Sequence, residues 1–283
     1  MALGILTNVA ATYAENNLNQ TQGSLQSVLQ QLSSGSRINS GADDAAGLSV
    51  ADGLHANEAA LTQSAQNAQN GVGLLQTADG ALSQVTNLLD RAVTLATEAA
   101  NGGLTAGQSA AADTEFQSIV TEIGNIGTST NFNSTAVFSA TATNFVVSDG
   151  TTTGTTTIAA TIGALTGGSV GTATGGGAGQ SLTADVLTST AAATTALSDV
   201  STAIADVANQ RGAIGANINQ LSAAANVASS EEVNLSSAES NIRSTNYGQA
   251  TSDLAKYQVL SQTGISALAQ ANSVQQEILK LLQ

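Results

Sequence analysis

The side chains of this sequence best suited to chemistry are three charged groups in "LSSGSRINSGADDAAGLSVA", residues 32–51. Asp43 and Asp44 are adjacent, Arg37 precedes them, and charged residues make up only 9% of the chain. Paired carboxylates could bind a hard metal ion, but acidic side chains before a helix also accept hydrogen bonds from its free N–H groups. We predict that Asp43 and Asp44 cap a helix. Arg37 is then a cation suited to a carboxylate of this chain or of another copy.

Other polar groups do not assemble a catalytic or metal-binding set. His55 is the only histidine and there are no cysteines, so zinc lacks a ligand set. Glu231 and Glu232 would point about 100° apart on a helix, which is poor geometry for acid–base catalysis. The glycine cluster at 175–179 lacks the Gly-Lys-Ser/Thr ending of a phosphate-binding loop. We expect no enzyme activity, no cofactor and no metal, and we expect His55 to be solvated.

Composition favours the packing of helices on helices. Hydrophobic residues are 42% of the 283 residues but aromatic residues only 2%, and no proline interrupts a helix. The net charge of −14 argues against nucleic acid as a partner, because phosphate binding needs clustered Lys and Arg. No apolar run is long enough to span a membrane, and the N-terminus lacks the basic start of a secretory signal. Composition alone therefore indicates a cytoplasmic protein.

Apolar residues recur every seven positions in both halves of the chain. The first series is Leu54, Leu61, Ala68, Leu75, Leu82, Leu89 and Ala96, and the second is Val200, Val207, Ile214, Leu221, Ala228, Leu235 and Ile242. This repeat is typical of coiled-coil-like helices, and the first of them would be about 70 Å long.

Two shorter apolar stripes mark the chain ends. The N-terminal stripe contains Leu18, Leu25 and Leu32, and the C-terminal stripe contains Tyr257, Leu260, Gly264, Ala267, Ala271, Val274, Ile278 and Leu281. We interpret Tyr257 as a packing residue rather than a ligand. The predicted fold is mainly α, with long antiparallel coiled-coil-like helices that pair both chain ends and a small β-hairpin region in the middle.

The middle of the chain departs from helical periodicity. Residues 121–138 are interpreted as a last helical turn followed by a loop. Residues 144–162 predict a β-hairpin, because β-branched residues flank an Asp-Gly turn signal at Asp149 and Gly150. Residues 167–181, rich in Gly and Thr, have almost nothing to bury and predict a flexible surface loop.

Several segments together resemble bacterial flagellin. They are "LSSGSRINSGADDAAGLSVA", residues 61–102, "TEIGNIGTSTNFN", "IADVANQRGAIGANINQL", "AESNIRSTNY" and residues 257–283. The resemblance implies a structural, self-assembling subunit of the flagellar filament that acts in motility. Its expected location is extracellular, after export through the flagellar secretion channel without a cleaved signal, which replaces the cytoplasmic assignment.

The resemblance also implies a domain organisation. Residues 1–42 with 246–283 would form the inner terminal-helix domain of the filament core. Residues 43–166 with 182–245 would form a helical shell domain that includes the hairpin, and 167–181 would stand in place of large outer domains. Arg37, Asp43 and Asp44 would then lie in the spoke between the two domains, where they would serve subunit assembly.

Partners are expected from the same resemblance. They are further copies of the chain in a helical filament, an export chaperone on the C-terminal helix, and the filament cap and hook-associated proteins. The innate-immune flagellin receptor would contact Arg91, Leu95 and Glu122. Asp90 stands where the family usually has glutamine, which argues against receptor activation, and subunit contact alone is an equal interpretation of Arg91.

Two alternative functions stay open at this point. A hook–filament junction protein resembles flagellin at both ends, but that group usually has prolines around the acidic pair. A non-polymerising coiled-coil adhesin would not need apolar terminal helices, whereas this chain ends in "ILKLLQ".

Overall fold

The computed structural model describes residues 8–149, 156–172 and 176–281, with side chains up to residue 277 in the last helix. Its helices are α1 (Val9–Ser34), α2 (Ala45–Ala100), α3 (Ala106–Ser129), α4 (Thr190–Arg243) and α5 (Tyr247–Leu281). Its strands form three antiparallel pairs: β1 (Asn131–Phe132) with β2 (Thr135–Ala136), β3 (Thr143–Val146) with β4 (Thr157–Ala160), and β5 (Val170–Thr172) with β6 (Ala178–Gln180). Among these residues, no helix has an apolar stretch of the length that a membrane span requires.

The chain forms two compact units. One contains the residues up to Ala56 and from Asn234 onward, and the other is Asn57–Val233. The finer domain boundaries expected from the sequence remain predictions. The mainly α fold with paired chain ends and small strand pairs is confirmed.

In the first unit, α1 and α5 pack against each other along their length. Asn8 Nδ2 donates to the Ala271 carbonyl at 3.0 Å, and Thr245 Oγ1, just before α5, donates to the Gln31 carbonyl at 3.3 Å. Early residues of α1 thus meet late residues of α5, and the pair is antiparallel. The seam contains Ala11, Ala14, Leu18, Thr21, Leu25, Val28 and Leu32 of α1, with Leu254, Tyr257, Ser261, Gly264, Leu268 and Ala271 of α5.

Two residues predicted for this seam lie outside it. Leu260 is 42% and Val274 41% exposed. Tyr257, Gly264 and Ala271 repeat every seven positions, and α5 is rotated so that their neighbours four positions on, such as Leu268, face α1. The sequence alone does not fix this rotation, because both flanks of the stripe carry apolar residues. The side chains of Ile278 and Leu281 lie outside the described residues.

In the second unit, the heptad positions of α2 and α4 face a shared core. Residues at most 1% exposed include Leu75, Leu82, Leu89, Val200, Val207 and Ile214. Phe116 and Ile123 of α3 are fully buried in the same cluster. Arg211 of α4 forms a bidentate ion pair with Asp79 of α2, with Nε 2.7 Å from Oδ1.

Helix α3 extends beyond its predicted end. The sequence predicts one helical turn at the start of 121–138, but the helix continues to Ser129 and the N–H of Thr130 still donates to the Ile126 carbonyl at 3.1 Å. Burial of Ile123 and Gly127 on its inner face keeps this segment helical. A Cβ on Gly127 would clash with the backbone of Leu165, so glycine is needed for this close approach.

The predicted hairpin is present as β3 and β4, with Phe145 opposite Ile158. Ser64 Oγ of α2 donates to the Ser148 carbonyl at 2.7 Å, which fixes the hairpin on that helix. Asp149 is described, whereas Gly150 and the rest of the predicted turn lie outside the described residues.

The prediction of a flexible loop over 167–181 is wrong for the residues that the structure describes, 167–172 and 176–181. Val170 is fully buried, and β5 pairs with β6. Gly171 has φ +78° and lies so close to the backbone of Asp206 and Val207 that a Cβ would overlap it. The absence of a side chain therefore permits a close contact that composition does not reveal.

Gly171 and Gly176 form a matched pair for testing this contact. Both have positive φ, but no atom of the described residues lies within 4 Å of a Cβ built on Gly176. Gly176→Ala should cost about 1–2 kcal/mol from backbone strain alone, whereas Gly171→Ala should cost about 2–5 kcal/mol because steric overlap is added. Urea unfolding followed by circular dichroism at 222 nm measures both, and equal losses would contradict the proposed contact.

Candidate assembly site

The connector between α1 and α2, residues 35–44, lies beside the turn between α4 and α5. Gly35 ends α1 in the left-handed conformation, with φ 71°. The N–H of Arg37 donates to the Arg243 carbonyl at 2.7 Å, and that of Thr245 donates to the Gly35 carbonyl at 3.0 Å. These bonds form a short antiparallel bridge centred on Ser36 and Ser244. The two chain reversals are therefore held together by backbone hydrogen bonds.

One apolar side chain anchors the connector. Ile38 is 1% exposed. Ser36 Oγ donates to the Ile38 carbonyl at 2.8 Å, and Asn39 Nδ2 donates to the Ser36 carbonyl at 2.9 Å, so the polar groups around it are bonded locally. Sequence reasoning missed Ile38, because a single apolar residue in a polar loop carries no periodicity.

Asp43 and Asp44, both predicted to cap a helix, have different roles in the structure. Asp44 Oδ1 accepts from the N–H of Gly47 at 2.8 Å, so Asp44 is the helix cap of α2. Asp43 Oδ2 instead accepts from the N–H groups of Asn39 and Ser40 at 3.0 and 2.8 Å, and from Ser40 Oγ. The backbone bonds from Asn39 and Ser40, followed by the hydroxyl bond, lower the pKa of Asp43. The predicted cap is thus supplied by Asp44, while Asp43 closes the connector.

Arg37 is exposed, and its Nη2 donates to the Ile242 carbonyl at 3.0 Å. Within the described chain this contact is made to a carbonyl near the C-terminal end of α4, rather than to the predicted carboxylate. Arg243 differs, since its Nη1 lies 3.1 Å from Glu239 Oε1. His55, predicted to be solvated, has a 68% exposed side chain with Nδ1 3.6 Å from Glu239 Oε2.

The residues predicted for receptor contact do not share one accessible surface. Arg91 is bonded in bidentate fashion to Glu115, with Nε 2.7 Å from Oε1, and this pairing lowers the pKa of Glu115. Leu95 is only 3% exposed and belongs to the core, so its side chain is not accessible on the folded chain. Glu122 is exposed and accepts from Asn125 Nδ2 at 3.2 Å.

The paired helices α1 and α5 expose large apolar side chains. We call these the outer apolar residues: Val9, Tyr13 and Leu29 of α1, with Val259, Leu260, Ile265 and Val274 of α5. At the edge of the seam, an open groove of ≈ 430 Å³ is lined by Leu18 and Gly264 of the seam and by Leu260 beside it. Large exposed apolar side chains gathered on one helix pair, rather than scattered singly, are typical of an association surface.

The fold and this surface define a class: a helical structural protein whose paired terminal helices expose apolar side chains. The chain matches the bacterial flagellin N-terminal helical region over residues 5–143 and the bacterial flagellin C-terminal helical region over residues 197–282. It belongs to the bacterial flagellin family. Flagellin is a structural protein of the extracellular flagellar filament and not an enzyme, which confirms the prediction of a non-enzymatic role.

A relative matched over nearly its full length supports the family assignment. The chain is 30% identical to the flagellar filament 30.7 kDa core protein of Treponema maltophilum, over 97% of this chain and 98% of that protein. It is 38% identical to Flagellin 1 of Proteus mirabilis over 53% of this chain, and the match spans only 41% of that protein. A crystal structure of Bacillus cereus flagellin is 29% identical and aligns with a TM-score of 0.46, over 57% of this chain and 88% of that one.

The hydrogen bonds of Asp43 in the connector predict that the stability of the folded chain depends on pH. The lowered pKa of Asp43 means that its contribution to stability is present above the pKa of the unfolded chain and is lost as the pH falls through the folded value. Asp43→Asn should therefore lower the urea midpoint at pH 7, and this difference should shrink below about pH 4. Asp90→Asn, an exposed change in the C-terminal part of α2, is the control. A pH-independent effect of Asp43→Asn would contradict the proposed role.

Proposed function

We propose that this chain polymerises into the flagellar filament through α1 and α5. The observation that carries the proposal is the set of outer apolar residues, which a single copy leaves in contact with water. A second copy of the same helices can cover them. The name of the Treponema relative, a filament core protein, supports the same assignment.

The energetics favour many repeated contacts over a single pairing. A large apolar side chain contributes about 1.5–3 kcal/mol when fully buried, so the four half-exposed outer residues of α5 would contribute roughly 3–6 kcal/mol. Association costs about 4–15 kcal/mol in translational and rotational freedom. An isolated pair of copies would therefore be weak. A helical polymer, in which each copy touches several others, gains the same contacts repeatedly.

Charge adds a second condition on assembly. Each copy carries a formal net charge of −14, so copies repel one another at low ionic strength. At about 0.15 M salt the screening length is about 8 Å, and this repulsion weakens. We expect polymerisation to be promoted by salt, while the apolar contacts provide the attraction.

The further partners follow from family membership and are part of the proposal. We propose export of the chain through the flagellar secretion channel, with a chaperone covering the outer apolar residues of α5 before assembly. The filament cap and hook-associated proteins would meet the chain at the filament ends. The proposed receptor contact is restricted to Arg91 and Glu122, since Leu95 is buried.

The outer apolar residues can be tested without disturbing the seam. Leu260→Gln combined with Val274→Gln should leave the helix content of the monomer unchanged, because both side chains are already exposed. The same double variant should abolish or severely slow polymerisation, measured by sedimentation and electron microscopy after salt addition. Leu260→Ile with Val274→Ile is the matched control and should still polymerise. Normal filaments from the Gln variant would contradict the proposal and favour a non-polymerising adhesin.

Arg37 provides a second test of assembly. We propose that its exposed guanidinium pairs with a carboxylate of a neighbouring copy, since the chain has 20 acidic and only 6 basic residues. Arg37→Ala should impair assembly or change filament shape more than it lowers monomer stability, and Arg37→Lys should retain part of the function. Electron microscopy and urea unfolding separate the two effects. Normal filaments with Arg37→Ala would count against the pairing.

A further inference from the structure

A strap of residues 181–189 connects β6 to α4 and is held against α3 from within the second unit. Leu182 and Leu187 are fully buried at its two ends. Gln117 Nε2 of α3 donates to the Asp185 carbonyl at 2.6 Å, and the N–H of Leu187 donates to Asp113 Oδ1 at 2.7 Å. The strap is therefore fixed on the α3 side by two hydrogen bonds to named side chains.

On the α4 side the strap carries a carboxyl group in an unusual position. Asp185 is only 9% exposed, and none of the described residues donates a hydrogen bond to its buried Oδ2. Its carboxyl group interacts with the carboxyl group of Asp199 of α4. Two ionised carboxylates have no donor between them, so this contact becomes a hydrogen bond only when one of them carries a proton.

We propose that Asp185 and Asp199 share a proton, and that this shared proton fastens the strap to α4 and is released as the medium becomes neutral to alkaline. The step is a simple ionisation: the proton leaves to water, and the two carboxylates then repel each other. The strap then loses its attachment to α4, and its remaining hydrogen bonds to α3 open more often. This device is independent of the terminal helices and of polymerisation.

The charged groups around the pair favour proton retention at mildly acidic pH. Burial, and then the neighbouring Asp199, raise the pKa of Asp185 to about 6. Asp113 faces the strap from α3, and Asp206 of α4 accepts from the N–H of Gln180 just before it. Among the described residues, the hydrogen bonds of the strap include none to Lys, Arg or His. The charged groups named here beside the pair, Asp113 and Asp206, are both acidic.

The sign of the pH effect follows from linkage. Because the pKa of Asp185 is higher in the folded chain than in the unfolded chain, the folded state binds more protons between about pH 4 and pH 6. The stabilisation is fully present below the unfolded value and is lost as the pH rises through about 6. Asp185→Asn supplies a permanent N–H donor to Asp199 and should remove this loss.

The experiment compares the full-length chain with Asp185→Asn and with Asp90→Asn, which removes an exposed carboxylate of the same unit. Carboxyl carbon NMR should give Asp185 a pKa near 6. Between pH 4.5 and pH 8, the unfolding constant of the unmodified chain should rise about 10- to 100-fold relative to that of Asp185→Asn, the lower figure allowing for solvent screening. The chain with Asp90→Asn should behave like the unmodified chain.

Hydrogen exchange at the Leu187 amide, corrected for the intrinsic pH dependence of exchange, is a second measurement of how firmly the strap is held. Protection should fall from pH 5 to pH 7.5 in the unmodified chain and stay constant in Asp185→Asn. Titration of Asp185 near pH 4, or parallel stability profiles of the two chains, would overturn the proposal. Full protection at pH 7.5 produced by millimolar calcium alone would also overturn it, because a cation rather than a proton would then join the pair.

Discussion

The close approach of α1 to α5 is the constraint on which the first unit depends. At Gly264 a Cβ would lie only 3.3 Å from Leu18 Cδ1, so the seam is narrow where the two helices meet. Because the seam is narrow, it covers only one face of each helix. Other large side chains, among them Val259 and Ile265, are left outside it. The same contact that pairs the chain ends therefore leaves the apolar surface that assembly can use.

The connector between α1 and α2 allows α1 to pair with α5, although the long helices α2 and α4 lie between them in the chain. Chain reversals after α1 and before α5 lie side by side and share backbone hydrogen bonds at Ser36 and Ser244. Asp43 and Asp44 bond local N–H groups, and Ile38 closes the region with one buried side chain. Arg37 is the charged group of this region that stays exposed while bonded to a carbonyl. Satisfied backbone groups around an exposed cation suit a rigid link between helices better than a catalytic centre.

Apolar periodicity predicted the helices well. It did not predict which flank of α5 is covered or where the strands lie. Heptad positions such as Leu82 and Ile214 face the core because a seven-residue repeat keeps one stripe on one side of a helix. Leu260 and Val274 of the α5 stripe were assigned to the seam, but Leu268 on the other flank faces α1 instead, since both flanks are apolar. Leu95 was assigned to a surface by resemblance, although it belongs to the buried core cluster, to which several helices contribute. The buried strand at Val170 was missed, because Gly and Thr composition carries no record of a close backbone contact.

By itself the sequence determined the helical class, the pairing of the chain ends, the cap at the start of α2 and the flagellin family, since each of these depends on local spacing or motif. Only the tertiary structure decided the rotation of α5, the division of work between Asp43 and Asp44, and the meeting of Asp185 with Asp199. These features depend on residues far apart in the chain, or on which of two similar faces is covered. The free energies that separate such alternatives come from packing and desolvation in three dimensions, which a one-dimensional pattern does not contain.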